Sequence, residues 1–157
     1  MELRDLRLWR SPYSHFYPEE TLRAAGIYTA GVLRGIADAG FNAIWIHTLL
    51  RQIVPSRVFP EFGRGSAARL ASLRTVIRRA SRCGLKVYLY MQPPRGLPAT
   101  DSFWRCHPET AGATFFHNGR DMVSLCTSAE PVRRFLRESS ETLSREAPDL
   151  GGAILIT

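Results

Sequence analysis

The stretch Gly40–Thr48, Gly-Phe-Asn-Ala-Ile-Trp-Ile-His-Thr, constrains the fold more than any other part of the chain. Phe41, Ala43, Ile44, Trp45 and Ile46 form a short apolar run with little alternation, which predicts a strand buried on both faces. Strands covered on both faces belong to parallel sheets, and such sheets gather their chemistry at the carboxyl ends of the strands. His47 and Thr48 stand at that end.

The flanking segments supply what a parallel strand requires. A short first strand is expected over Leu3–Trp9. Glu19 and Glu20 follow Pro18 and suit the positive end of a helix dipole. Tyr28, Val32, Leu33, Ile36 and Ala37 recur at spacings of three and four, an apolar helix face that Gly40 terminates. Residues 49–65 carry two prolines and two glycines and read as a loop. Ser66 is the expected N-cap of a second helix whose buried face is Leu70, Leu73, Val76, Ile77 and Ala80. After Gly84, Leu85–Met91 is a second strand, stopped by Pro93 and Pro94. Residues 92–128 show little periodicity and read as a long loop, which Phe103, Trp104, Phe115 and Phe116 keep ordered. Ser128 is the expected cap of a third helix with Pro131 in its first turn and Val132, Phe135, Leu136 and Leu143 as its buried stripe. Ala153–Ile156 is the third clear strand.

Alternation of strand and helix implies right-handed crossovers and a parallel sheet. Each helix returns to its strand through a few residues, whereas each strand leaves through a long loop. Length placed only on the carboxyl-end side is the habit of a (β/α) barrel. A dinucleotide-binding sheet would carry a glycine-rich turn after its first strand, and Thr48-Leu-Leu-Arg51 has none. The expected fold class is therefore α/β, a partial (β/α)8 TIM barrel of about the first three or four βα units. Residues 1–157 are read as the N-terminal part of a longer barrel protein, cut at the end of a strand.

Two stretches carry a family resemblance. Gly40-Phe-Asn-Ala-Ile-Trp-Ile-His47 resembles the second barrel strand of family 20 β-N-acetylhexosaminidases. Leu85-Lys-Val-Tyr-Leu-Tyr90, Pro148-Asp-Leu-Gly-Gly152 and Ala153–Thr157 are similar to a strand, turn and strand of family 67 α-glucuronidases. The resemblance implies a glycoside hydrolase acting on hexosaminides or uronides. In both families a catalytic acid follows the strand corresponding to Ala153–Thr157, so it implies an acid beyond Thr157 and an inactive fragment. Gln92 stands where hexosaminidases tend to have Asp. Glycoside hydrolysis uses two carboxyl groups across the scissile bond, and no such pair is evident at the strand ends, so no catalytic residue is assigned.

Composition narrows the alternatives. The chain has 157 residues, 45% of them hydrophobic and 22% charged, which suits one folded domain. A net charge of +7 invites a nucleic-acid reading, but Lys86 is the lone lysine, the arginines are spread along the whole chain, and no basic cluster interleaves with aromatics. Nucleic acid is thus the disfavoured partner. Cys83, Cys106 and Cys126 form no CxxC pair and fit buried free thiols in a reducing compartment, so a cytoplasmic location is expected. There is no signal-peptide core, no membrane-length apolar run and no metal or cofactor motif. Open sheet edges invite self-association.

Candidate substrate-binding residues follow from position. His47 at a strand end can hydrogen-bond a sugar hydroxyl or a neighbouring loop. Arg51 and Arg95 begin the two long loops and can fork onto a uronate carboxylate, or anchor those loops. Glu61 is the in-chain carboxylate nearest the expected mouth, with a loop-capping role as its alternative. Trp104 is a candidate sugar platform or a packing residue, and Trp45 reads as core. Arg10 and His15 line the mouth if the first strand forms as expected. Cys126-Thr127-Ser128 is discounted as a nucleophile motif, Thr127 and Ser128 being read as helix caps. The leading reading is a glycoside hydrolase-like half-barrel; its rivals are a non-catalytic carbohydrate-binding half-barrel and a basic nucleic-acid-binding protein.

Overall fold

A computed structural model describes residues 5–10, 20–92 and 94–156. In chain order the elements are β1 (Leu8–Arg10), α1 (Glu20–Ile27), α2 (Ala30–Asp38), β2 (Ala43–His47), α3 (Leu50–Ile53), α4 (Ser66–Ser81) and β3 (Lys86–Met91). There follow β4 (Leu97–Pro98), α5 (Phe103–Cys106), β5 (Ala111–His117), β6 (Arg120–Leu125), α6 (Glu130–Glu146) and β7 (Gly152–Leu155). One sheet runs β1-β2-β3-β7 with every pair parallel; a second runs β4-β6-β5, antiparallel. The parallel sheet with its interposed helices is a partial (β/α)8 barrel, four strands of eight, as the alternation of elements implies.

Side chains alternate across a strand, and register partners in a parallel pair share a face. Ile44, Ile46, Val87 and Leu89 are at most 1% exposed beneath the helices. There they join Leu33 of α2 and Leu73 and Val76 of α4, all fully buried. Burying one such side chain contributes roughly 1.5–3 kcal/mol, so this layer sets the sheet's position. The opposite, inner face carries Trp45 beside Tyr88 and His47 beside Tyr90. Trp45, Tyr88 and Tyr90 are only half-buried, so the expectation of burial on both faces is met on one. Full cover of an inner face needs the layers of side chains from all eight strands. Trp45 is accordingly not core: its ring lies 4.6 Å from that of Tyr90, tilted by 33°, with the Arg10 guanidinium 5.3 Å from its ring.

Several local expectations give way to tertiary demands. The helix expected through Tyr28–Ala37 is two helices, broken where Tyr28 turns inward and Thr29 accepts from the Val32 N–H as the cap of α2. Val32 is 41% exposed and lies off the buried face. Gly65, in the left-handed region at φ 74°, caps α4 in place of Ser66, which is already helical. Ala129 precedes α6, and neither Thr127 nor Ser128 caps it through a side chain. The first strand spans Leu8–Arg10; residues 1–4, and His15 with the aromatic segment around it, lie outside the described residues. All three cysteines are free, but Cys106 is exposed and Cys83 and Cys126 are only half-buried, contrary to the expected burial.

The largest departure is residues 92–128. They form the antiparallel sheet, with β5 and β6 joined at Asn118 (φ 50°) and Gly119 (φ 75°). Both left-handed conformations suit a tight hairpin whose twist matches its strands. An aromatic cluster ties this insertion to the loop before α4. Phe59, Phe62, Phe103 and Phe135 sit with ring centroids 5.0–5.5 Å apart, Phe62 stacked on Phe103.

Candidate functional site

β3 delivers Gln92, and β7 delivers Ile156, to the carboxyl end of the sheet, where a cleft of about 570 Å³ opens between them and the β5–β6 hairpin. Phe115 and His117, two apart on β5 and therefore on one face, form its wall with Arg95. Gly96 makes the wall's close approach possible, because a Cβ there would collide with the Val123 carbonyl and the Phe115 ring. Arg95 Nη2 lies 3.3 Å from His117 Nε2, an acceptor when the imidazole is neutral with its proton on Nδ1. The cleft thus combines an aromatic wall, a guanidinium, an imidazole, a carboxamide and the hydroxyls of Ser124 and Thr127. None of its described lining residues is acidic.

Arg51 approaches the same loop from α3. Its Nη1 donates to the Arg95 carbonyl at 2.9 Å, so the two arginines that begin the long loops are held side by side. Burial lowers the Arg51 pKa to about 10, with the Arg95 charge adding to that and Asp101 opposing it. The group remains charged at neutral pH. Its guanidinium lines a second cavity of about 320 Å³, together with Glu61, Arg64, Arg69 and Asp101. The two candidates Arg51 and Glu61 therefore share one cavity, and Arg95 lines the other.

Glu61 Oε1 meets His107 Nε2 at 3.0 Å. Its own backbone N–H, followed by His107, holds the carboxyl below the usual range. Trp104 donates its Nε1–H to the Pro98 carbonyl at 2.8 Å and packs edge-on against Phe103, which makes it a brace of the insertion. Neither cavity counts Trp104 among its described lining residues. His47 is 1% exposed, its ring 6.0 Å from that of Tyr90. The structure groups Arg51 with Glu61, sets Arg95 in the cleft, and places His47 and Trp104 in neither.

Three residues of consequence have no site role in the sequence reading. Phe115 enters that reading only as loop packing and His117 not at all; the Asn118-Gly119 pair is the signal that would have set them on one face of a hairpin. Glu20, expected merely to face a helix dipole, is 2% exposed. Its carboxylate accepts the His47 backbone N–H at 2.8 Å and the Tyr28 hydroxyl at 3.0 Å. Burial raises its pKa against those two hydrogen bonds and the Arg10 charge. Among the described residues no group of three His, Cys, Asp or Glu side chains is placed to hold a metal ion. Nor is any helix there long and apolar enough to cross a membrane.

No protein-family model matches the sequence, and no curated protein matches it. Among solved structures, the backbone is similar to a GH5_18 variant from Bifidobacterium longum subsp. longum crystallised in complex with Manβ1-4GlcNAc, with a TM-score of 0.56 at 18% sequence identity. The match covers 96% of this chain and 32% of that one, so the chain spans about a third of the length of its structural neighbour. At this identity the likeness shows the fold alone, part of a TIM barrel; the neighbour is a GH5 protein and lends no support to the resemblance to families 67 and 20.

Proposed function

We propose that this chain is the N-terminal part of a glycosidase-type barrel and contributes a carbohydrate-binding cleft for hexosaminides or uronides. The observation that carries the reading is the cleft at the ends of β3 and β7, where the Phe115 ring and the Arg95–His117 pair share one wall. A sugar ring presents an apolar face to an aromatic and a rim of hydroxyls to forked donors, and a uronate adds a carboxylate that a guanidinium binds. The barrel likeness supports the location, since barrel enzymes bind at the carboxyl ends of their strands. The absence of acidic side chains from the described lining favours binding over hydrolysis for this chain alone.

Titration of the protein with glucuronate and with N-acetylglucosamine, followed by amide chemical shifts, tests the reading. Saturable shifts are expected at Gly96, Phe115 and Leu125, weakened by Phe115→Ala, without release of the aryl group from aryl glycosides. No shift with either sugar would sink the cleft assignment, and enzyme-like turnover would overturn the non-hydrolytic part.

A further inference from the structure

Arg95 is fixed at its backbone and adjustable at its side chain. Its carbonyl accepts from Arg51 Nη1 at 2.9 Å. The following Gly96 packs so closely on the hairpin that a Cβ there would lie 2.6 Å from the Val123 carbonyl oxygen. The guanidinium, by contrast, makes one hydrogen bond among the described residues, from Nη2 to His117 Nε2 at 3.3 Å, and no ion pair. His117, the last residue of β5, is thus the one side chain that orients the Arg95 fork on the cleft wall.

That bond exists in one charge state only. A neutral imidazole protonated on Nδ1 offers Nε2 as an acceptor, whereas an imidazolium carries N–H on both nitrogens and accepts nothing. A proton taken from solvent onto Nε2 replaces the hydrogen bond by two like charges. Among the described residues the surroundings supply no counter-charge. Arg120 of β6 is the cross-strand partner of His117, Arg95 faces it from the loop after β3, and on its own strand the Phe115 ring lies 6.5 Å away. Asp121 pairs with Phe116 and so lies on the other face of the hairpin. On the α3 side, Arg51 repels Arg95 and Asp101 offsets the Arg51 charge.

We infer that His117 is a positioning residue that gates the cleft by pH: neutral, it holds the Arg95 guanidinium on the hairpin wall, and protonated, it releases it. Histidines ordinarily change charge between about pH 5 and 8, so the gate closes toward acid. The inference rests on the cleft being the sugar site.

The test pairs a ligand-free signal with an affinity, both on the full chain. The Arg95 Cζ and His117 ring resonances are followed by NMR from about pH 8 to about pH 5. The two are expected to move together, and Arg95 to stay unmoved in His117→Gln, which keeps an acceptor but does not titrate. N-acetylglucosamine, a neutral probe, is titrated at both ends of that range. The parent should bind it about fivefold more weakly at the acid end, the worth of one net hydrogen bond. His117→Gln should bind equally at both ends, with the parent's alkaline affinity. His117→Ala should bind at both ends as the parent does in acid. An Arg95 resonance that ignores the His117 titration, equal parent affinities at the two ends, or a pH dependence that persists in His117→Gln overturns the gate. Absence of sugar binding at both ends overturns the gate together with the sugar site, and differs visibly from binding that is present but equal.

Discussion

Replacing Glu20 isolates what one buried carboxylate does for a parallel sheet. The described part of β1 ends with Arg10 beside Trp45, and among the described residues the acceptor for the next outward amide of β2, that of His47, is a side chain. Glu20 Oε2 accepts it at 2.8 Å, and Oε1 accepts from the Tyr28 hydroxyl at 3.0 Å. Glu20→Ala leaves a buried N–H without its acceptor, at about 1–3 kcal/mol, and deletes a hydroxyl hydrogen bond of about 0.5–1.5 kcal/mol. Relief of the buried charge returns part of this, and we expect a net loss of about 2–3 kcal/mol, or roughly 4–12 °C in melting temperature for a domain of this size. Glu20→Gln keeps an acceptor for His47 and lets the tyrosine oxygen accept from the amide, so its loss should stay within about 1 kcal/mol. Thermal unfolding followed by circular dichroism at neutral pH gives both values. If Glu20→Ala melts within about 1 °C of the parent protein, the carboxylate is not completing the ladder and the reasoning is wrong.

The pH dependence of the same group has a defined sign. Burial places the folded pKa of Glu20 above its ordinary 4.5. The pH-dependent part of its contribution is therefore fully present below 4.5 and is lost as pH rises through the raised folded value. The stability of Glu20→Gln relative to the parent should thus improve from pH 4.5 to neutrality, and parallel pH profiles would contradict this. Gly63→Ala should cost about 2–4 kcal/mol, because a Cβ at φ 76° would run into the backbone of Val54 and Pro55. Gly119→Ala has nearly the same φ, 75°, but nothing within 4 Å, so about 1 kcal/mol is expected, and equal losses in denaturant titrations would refute the steric argument. Trp104→Phe removes the hydrogen bond to Pro98 and should cost about 1 kcal/mol while leaving sugar affinity unchanged; weakened sugar binding would restore Trp104 as a platform.

β2, β3 and β7 are legible in the sequence because each is a compact apolar run set off by Gly40, Gly84 or Gly151-Gly152, and in β2 and β3 the outer face is also buried. The hairpin is not legible by periodicity. β5 is exposed along almost its whole length, so no inside–outside alternation was selected into Ala111–His117, and only the Asn118-Gly119 turn betrays it. Ser66 and Ser128 show the limit of capping signals, since the chain enters α4 through a left-handed Gly65 and α6 through Ala129. Arg51 and Arg95 are legible as loop-starting cations, but the hydrogen bond from the Arg51 guanidinium to the Arg95 carbonyl is not. Glu20 is the clearest case of tertiary override: its role depends on a strand amide 27 residues away, which no local pattern encodes.

The strand order β1-β2-β3-β7 sets a hierarchy of amide exchange. β2 and β3 have ladder partners on both sides and a sealed outer face, so their inward-paired amides open only with the sheet itself and should be the last to take up deuterium. Among the described residues β7 and β5 each have a strand partner on one side only and carry exposed side chains, so half of their amides should label early. Protection falling from β3 outward would mark the β2–β3 pair as the unit whose opening is global unfolding.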